Sequence, residues 1–227
     1  SAEHFSHAGY KAWPRVQEFL EGLPEGSLVG DIGCGNGKYI FCVNHLIFVG
    51  TDIAMSFAEI IKERDPGTQV LTADATSTPF ADNSLDYAIS IAVIHHLSSD
   101  ERRIKAIQEL LRVVRTGGRV LIYVWAFEQE DKRFETQDVF VPWNNQRRFE
   151  EKGDKDSKPE DRRDDLLKQT TVYKRFYHVF RKGELEDCVR KATVDTPYSA
   201  VVVNSYYNHE NWCVELEKNS RDPDRQN

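Results

Sequence analysis

The sequence predicts an α/β fold: a mostly parallel, doubly wound sheet closed by an antiparallel strand pair. Three observations carry this. From about Leu28, strand-like apolar runs alternate with segments of helical periodicity. One run, RVLIYVWAF (Arg119–Phe127), is nearly continuous in apolar residues, as a strand buried on both faces should be. The first run leads straight into a glycine-rich turn, Gly33 to Gly37. Strands alternating with helices in this way build a parallel sheet.

The elements follow in order. LVGDIGCG (Leu28–Gly35) reads as a buried strand entering a glycine turn. LIFVGTDI is a second strand, ending at Asp52. SFAEIIKERD is a helix with Phe57, Ile60 and Ile61 on one face. TQVLTAD and SLDYAISIAV are the third and fourth strands. SSDERRIKAIQELLRVV is a long helix that Ser98 or Ser99 can cap. Its core stripe is Ile104, Ile107, Leu110, Leu111 and Val114, and Gly117-Gly118 are expected to end it. Arg119–Phe127 is the fifth strand. The run FEEKGDKDSKPEDRRDD (149–165) is almost all charge and reads as a surface loop or disordered insert. A helix follows from about Lys182, and YSAVVVNSYYN and NWCVELEK read as the closing strands. No repeat is visible, so residues 1–227 are expected to form a single domain with inserted segments.

Composition narrows the class. Apolar residues make up 40% and charged residues 30% of the 227, as in an ordinary soluble globular chain. No apolar run approaches the roughly 20 residues that span a bilayer, so no membrane association is expected, and the N-terminal stretch has no signal-peptide pattern. The four cysteines, Cys34, Cys42, Cys188 and Cys213, contain no CxxC pair. Reduced thiols in a cytoplasmic or nuclear protein are expected. The net charge of −7 lies wholly in residues 1–99, with 5 Lys/Arg against 12 Asp/Glu. The remainder is balanced and leaves room for a locally basic face.

The glycine turn, DIGCGNGKY, raises the question of its ligand. A Walker loop is rejected, because Tyr39 follows Gly37-Lys38 and position 32 is Ile. A dinucleotide fingerprint fits poorly, because the third glycine, Gly37, falls one residue early. Gly33, Gly35 and Gly37 let the backbone come close to a ligand. Asp31 beside them would repel a pyrophosphate and attract an ammonium or a sulfonium. Asp52, at the end of the second strand, is placed to accept both hydroxyls of a ribose. Asp74, at the end of the third, can accept from the exocyclic amine of adenine. Three acids at three successive strand ends suit a cationic ligand that carries adenosine, which is S-adenosylmethionine.

On these residues the segment from Leu28 to about Phe127 resembles the Rossmann-like class I S-adenosylmethionine-dependent methyltransferases. That resemblance adds Ala75 to the cofactor-binding set. Four further stretches resemble the eukaryotic tRNA wobble-uridine carboxymethyl methyltransferases over nearly the whole chain: HFSHAGYKAWPRV (His4–Val16), ISIAVIHHL (Ile89–Leu97), LIYVWAFEQ with QDVFVPW (Leu121–Gln129, Gln137–Trp143), and YKRFYHVFRKGEL (Tyr173–Leu185). The resemblance implies a methyl transfer to the carboxylate of 5-carboxymethyluridine in tRNA. It also implies a heterodimer with a small zinc-binding activator protein.

The expected chemistry needs no general base, because a carboxylate with a pKa near 4 is ionised at neutral pH. Positioning should dominate. Arg181 is the candidate to bind the carboxylate in a fork. The resemblance places His95-His96 beside the methyl donor and favours His96. Residues 168–191 hold seven Lys/Arg and three acids, interleaved with Tyr173, Phe176, Tyr177 and Phe180, and form the candidate tRNA contact. Lys174 and Arg175 are its expected substrate-binding residues, and Trp13 and Trp143 are candidates to stack on a base, whereas Trp125, inside a buried strand, is expected to pack in the core. The resembling family has Thr-Arg where this chain has Ala8-Gly9, which leaves Lys11 as the nearest substitute for that arginine. If the third strand is a sheet edge, it is the expected docking place of the activator. Two other readings compete: a small-molecule methyltransferase, which would not need the basic aromatic segment or the QDVFVPW loop, and a catalytically silent partner subunit that binds S-adenosylmethionine only to stay folded.

Overall fold

The computed structural model describes residues 12–143 and 173–221. Seven strands form the main sheet: β1 (Leu28–Ile32), β2 (Ile47–Asp52), β3 (Gln69–Thr72), β4 (Leu85–Ile91), β5 (Val114–Trp125), β8 (Tyr198–Asn208) and β9 (Asn211–Ser220). Their order is β3-β2-β1-β4-β5-β9-β8. The first five are parallel, and β9 and β8 close the sheet antiparallel. The strand order reverses at β1, with β2 on one side and β4 on the other. In open α/β sheets such a reversal leaves a crevice outside the carboxyl ends of the strands.

Among the described residues, four α-helices pack on the sheet: α1 (Pro14–Glu21), α2 (Met55–Arg64), α3 (Asp100–Val113) and α4 (Glu184–Ala192). The strand period of two sends alternate side chains to opposite faces, so the apolar core splits in two. Ala88, Ile122 and Val124 face α3 and α4, whereas Ile89, Leu121 and Tyr123 face α1. All five residues from Val120 to Val124 are fully buried, as the continuous apolar run requires. The helix α1 was not separately legible in the sequence; Pro14 opens it at a position where its missing N–H is not needed, and it buries Val16 and Leu20.

Two expectations are corrected. Ser99 caps α3 as expected, its Oγ accepting from the Arg102 N–H at 3.3 Å, but Gly117-Gly118 do not end the helix. It stops at Val113, and Val114–Gly118 already belong to β5, at a register break against β4. Glycine is needed there for close approach: a Cβ on Gly118 would lie 2.2 Å from the Asp86 carbonyl oxygen. The second concerns QDVFVPW, which is not a loop. Asp138–Trp143 form β6, paired antiparallel with β7 (Tyr173–His178) in a separate two-stranded sheet. The charged run 149–165 and the first residues of the 168–191 segment lie outside the described residues.

Phe180 joins this small sheet to the large one. Its N–H donates to the Trp125 carbonyl and its own carbonyl accepts from the Phe127 N–H, both at 2.8 Å. Its ring is fully buried in the α3/α4 core. Phe180→Ala should therefore lower unfolding free energy by about 3–5 kcal/mol in denaturant titration; a loss below about 1 kcal/mol would show that the joint does not depend on the ring.

Candidate active site

The crevice predicted by the strand reversal is a cavity of about 380 Å³ at the carboxyl ends of β1, β2 and β4. Its floor is the glycine turn. The N–H groups of Gly33 and Cys34 donate to the Thr51 carbonyl at 2.7 and 2.8 Å, which ties the turn to β2. Gly33 has φ +84°, and a Cβ there would meet Val93 Cγ2 at 2.3 Å. Gly35, with φ +52°, has nothing within 4 Å of where a Cβ would be, and its N–H donates to Asp52 Oδ2 at 3.0 Å. The other oxygen, Asp52 Oδ1, accepts from the Ala54 N–H at 3.0 Å. Each oxygen retains a lone pair for a further donor.

Asp31 is 1% exposed, and its Oδ2 has no hydrogen-bond partner among the described residues. Burial, with the Asp52 charge as the smaller cause, pushes its carboxyl up to about 7. A group whose folded pKa is raised stabilises the fold when protonated. The ligand-free protein therefore loses stability as pH rises from about 4 through about 7. Asp74 is different. It lies two residues past the end of β3, and its Oδ1 accepts from both the N–H and the Oγ1 of Thr76 at 2.8 Å. Oδ2 pairs with Arg102 at 3.3 Å. The Thr76 N–H is the main cause holding its pKa below the usual carboxylate value. Ala75 lines the cavity beside it.

The opposite wall comes from a single 3-10 turn, Ile94–His96, and from β7. The His96 Nδ1 lies 3.1 Å from the Phe176 carbonyl. A carbonyl only accepts, so Nδ1 carries the proton and Nε2 a lone pair. Burial, then the Arg175 charge, lowers the His96 pKa to about 4. His96 is thus neutral near pH 7. Arg175 lines the same cavity from β7. Tyr177, two residues on, packs against both histidine rings, at 4.4 Å from His96 and 5.1 Å from His95. Trp13 also lines the cavity, stacked on Tyr123 and His209, each at 5.5 Å.

The sequence-predicted residues divide accordingly. Asp31, Gly33, Gly35, Asp52, Asp74, Ala75, His96, Trp13 and Arg175 meet at the cavity. His95 does not: it is buried, its Nδ1 accepts from the Trp125 N–H at 2.9 Å, and burial holds its pKa well below the usual value. Arg181 does not either. Its guanidinium lies 4.2 Å from the Phe127 ring, and its Nε donates to Gln137 Oε1 at 3.3 Å. Gly37 sits against Phe41 and Ile61 instead of lining the cavity. Lys174 is exposed on β7 and does not reach it. Lys11 and the Trp143 side chain lie outside the described residues. Arg102, Lys38, Ile53 and Phe57 line the cavity without having been singled out. Ile53 was within reach of sequence reasoning, since it directly follows the strand-end Asp52.

Comparison with known proteins agrees with this geometry. Residues 30–122 match the model of a methyltransferase domain. A S-adenosylmethionine-dependent methyltransferase from Methanosarcina mazei has the same fold, with a TM-score of 0.62 at 16% identity over 93% of this chain and all of that one. The chain is 40% identical over 223 residues to the tRNA (carboxymethyluridine(34)-5-O)-methyltransferase of Schizosaccharomyces pombe, covering 96% of this chain and 92% of that one. It is 38% identical to the Xenopus tropicalis tRNA (carboxymethyluridine(34)-5-O)-methyltransferase alkbh8, but spans only 39% of that protein's length. Sheet order, glycine turn and acid-lined cavity define a class I S-adenosylmethionine-dependent methyltransferase. Within that class, the chain belongs to the tRNA (carboxymethyluridine(34)-5-O)-methyltransferase family.

The residues fit S-adenosylmethionine. An unpartnered buried carboxylate calls for a cation, and the open space beside Gly35 admits a ligand to the backbone. Two consequences are measurable by calorimetry. Wild-type affinity for S-adenosylmethionine should be flat above pH about 7 and fall up to about tenfold per pH unit below it, as Asp31 takes a proton. Asp31→Asn should weaken binding by about 2–5 kcal/mol, thirtyfold or more, while raising the ligand-free Tm at pH 8. Unchanged affinity in that variant would remove Asp31 from the cofactor site.

Proposed function

We propose that this chain transfers the methyl group of S-adenosylmethionine to the carboxylate of 5-carboxymethyluridine at the wobble position of tRNA, forming the methyl ester. One observation carries the reading. The same cavity holds a carboxylate that needs a cation, Asp31, and an arginine, Arg175, beside a neutral histidine. The first suits a cationic methyl donor and the second an anionic acceptor.

S-Adenosylmethionine supplies an electrophilic methyl on a sulfonium. Asp31 holds the cationic part of the cofactor, Asp52 accepts from the ribose hydroxyls, and Asp74 with Ala75 borders the adenine. Arg175 takes the place first given to Arg181, binding the acceptor carboxylate by a charge-assisted hydrogen bond. The acceptor is already ionised, so no base has to remove a proton. His96, with its pKa near 4 and its Nδ1 bonded to Phe176, acts as a fixed polar wall. Catalysis then rests on orientation.

The hairpin of β6 and β7 is the proposed tRNA contact. Lys174 lies exposed next to Arg175, and Phe140, 66% exposed, packs on Phe176 at a place where a base could stack. Phe180 and Tyr177 leave this role, since Phe180 is core and Tyr177 packs the histidine pair. The zinc-binding activator is assigned to the outer edge of β3, giving a heterodimer. That edge carries exposed Leu71, with Ile53 and Met55 exposed after β2. Complex formation unchanged after Leu71→Lys would sink this docking. All four cysteines are free, which suits a reducing compartment, cytoplasmic or nuclear.

The test uses tRNA from cells lacking the activity, S-adenosylmethionine, and the protein with and without its activator, followed by nucleoside mass spectrometry. Loss of 5-carboxymethyluridine with gain of its methyl ester is expected. Arg175→Ala should lower that rate by about 30- to 100-fold, the worth of a hydrogen bond to a charged group, while Arg181→Ala stays within about threefold. The opposite ranking would return the carboxylate to Arg181. No change in any nucleoside would favour a small-molecule acceptor.

A further inference from the structure

His178 ends β7 and belongs to the motif YKRFYHVFRKGEL, yet it does not line the cavity. It is 7% exposed, and both of its ring nitrogens meet carboxylates. Nδ1 lies 2.6 Å from Asp138 Oδ1 on β6, and Nε2 lies 2.6 Å from Glu184 Oε1 at the start of α4. Carboxylates accept only, so the ring satisfies both contacts only when both nitrogens carry protons. The other Glu184 oxygen, Oε2, accepts from Gln137 Nε2 at 2.5 Å and from the Arg181 N–H at 2.8 Å. The cluster thus ties β6, β7 and α4 together at the base of the hairpin. The three residues before His178 on the same strand make the cavity wall: Arg175 lines it, the Phe176 carbonyl fixes His96, and Tyr177 packs on both histidines.

We propose that His178 is a positioning residue for methyl transfer: bridging Asp138 and Glu184 as an imidazolium, it holds β7 where Arg175 and the Phe176 carbonyl can serve the cavity. This rests on the methyl-transfer reading of that cavity. The charged groups facing His178 come from three elements, Asp138 on β6, Glu184 on α4 and Arg103 on α3, with Asp100 paired to Arg103. Burial and Arg103 favour the neutral ring, but the bonds to Glu184 and Asp138 outweigh them, and the His178 pKa lies above its usual value. A raised folded pKa gives stability that is complete below about pH 6.5 and is lost as pH rises through the raised value. The clamp therefore opens on the alkaline side.

The experiment follows kcat at saturating cofactor and tRNA, with the activator present, across pH 6–10, and the ring resonances of His178 and His96 by NMR over the same range. In the wild type the His178 titration should carry the His96 signals with it, and kcat should fall on the order of tenfold or more with the same midpoint. Asp138→Asn removes one carboxylate charge from a side chain that is 63% exposed, so the fold is retained. Both midpoints should move to lower pH by about half a unit, a threefold change in proton affinity, with KM for the cofactor unchanged. A role confined to folding would lower activity without moving the kcat midpoint, and that result overturns the proposal. So does a His178 that stays neutral across the range. If the wild type turns over no tRNA at any pH, the methyl-transfer reading fails. The clamp is then decided by NMR alone: His96 signals that follow His178 support it, and signals that ignore it overturn it.

Discussion

The site is organised around one buried charge that has no partner among the described residues. Asp31 stands at the end of β1, where the strand order reverses, and one of its oxygens bonds to nothing in the described protein. An isolated carboxylate in that place is expensive, several kcal/mol even after relaxation. The surroundings do nothing to relieve it: Asp52 adds a second negative charge and drives the pKa further up. A cation therefore gains more in this cavity than in water. The neighbouring features serve that gain. Gly33 brings the turn under Val93, Gly35 leaves the backbone open, and Asp52 is pinned by two backbone N–H groups so that it cannot swing away from its neighbour.

The chain divides its labour between two sheets. The large sheet, with its five parallel strands, carries the acids of the cavity, and the small sheet of β6 and β7 brings Arg175 to it. The two are not continuous. They meet through Phe180, which adds two backbone hydrogen bonds at the end of β5, and the Asp138–His178–Glu184 cluster ties the small sheet to α4. On the proposed reading, the acidic flank draws the methyl donor and the Arg175 flank draws the carboxylate acceptor.

Much of this was legible in the residues. The strand alternation, the closing strand pair and the acids at Asp31, Asp52 and Asp74 follow from local patterns, because strand ends and turns announce themselves over a few residues, whereas the edge position of β3 is a property of the whole sheet. The acceptor side was harder. Choosing Arg175 over Arg181 requires knowing that Tyr173–His178 is a strand, so that Arg175 and Tyr177 share one face. That strand exists only through pairing with Asp138–Trp143, a contact some 35 residues distant. His95 and His96 likewise cannot be ranked by spacing. The tight 3-10 turn sends one ring under the Trp125 N–H and the other into the cavity.

With an acceptor that is already an anion, as proposed, the cavity needs no group that titrates near neutrality to move a proton. His96 matches that condition: burial and Arg175 hold it neutral down to about pH 4. Any pH dependence must then come from groups that touch no reacting bond. Two stand out, and they act in opposite senses. On the proposed readings, Asp31 loses its proton to hold the cofactor, and His178 keeps both of its protons to hold β7. Each resists the charge state it must adopt because it is buried, and each is compensated differently, Asp31 by the ligand and His178 by two carboxylates of the protein. Cofactor binding should therefore set the acid limit of the reaction and the hairpin clamp its alkaline limit, although neither group exchanges a proton with the substrate.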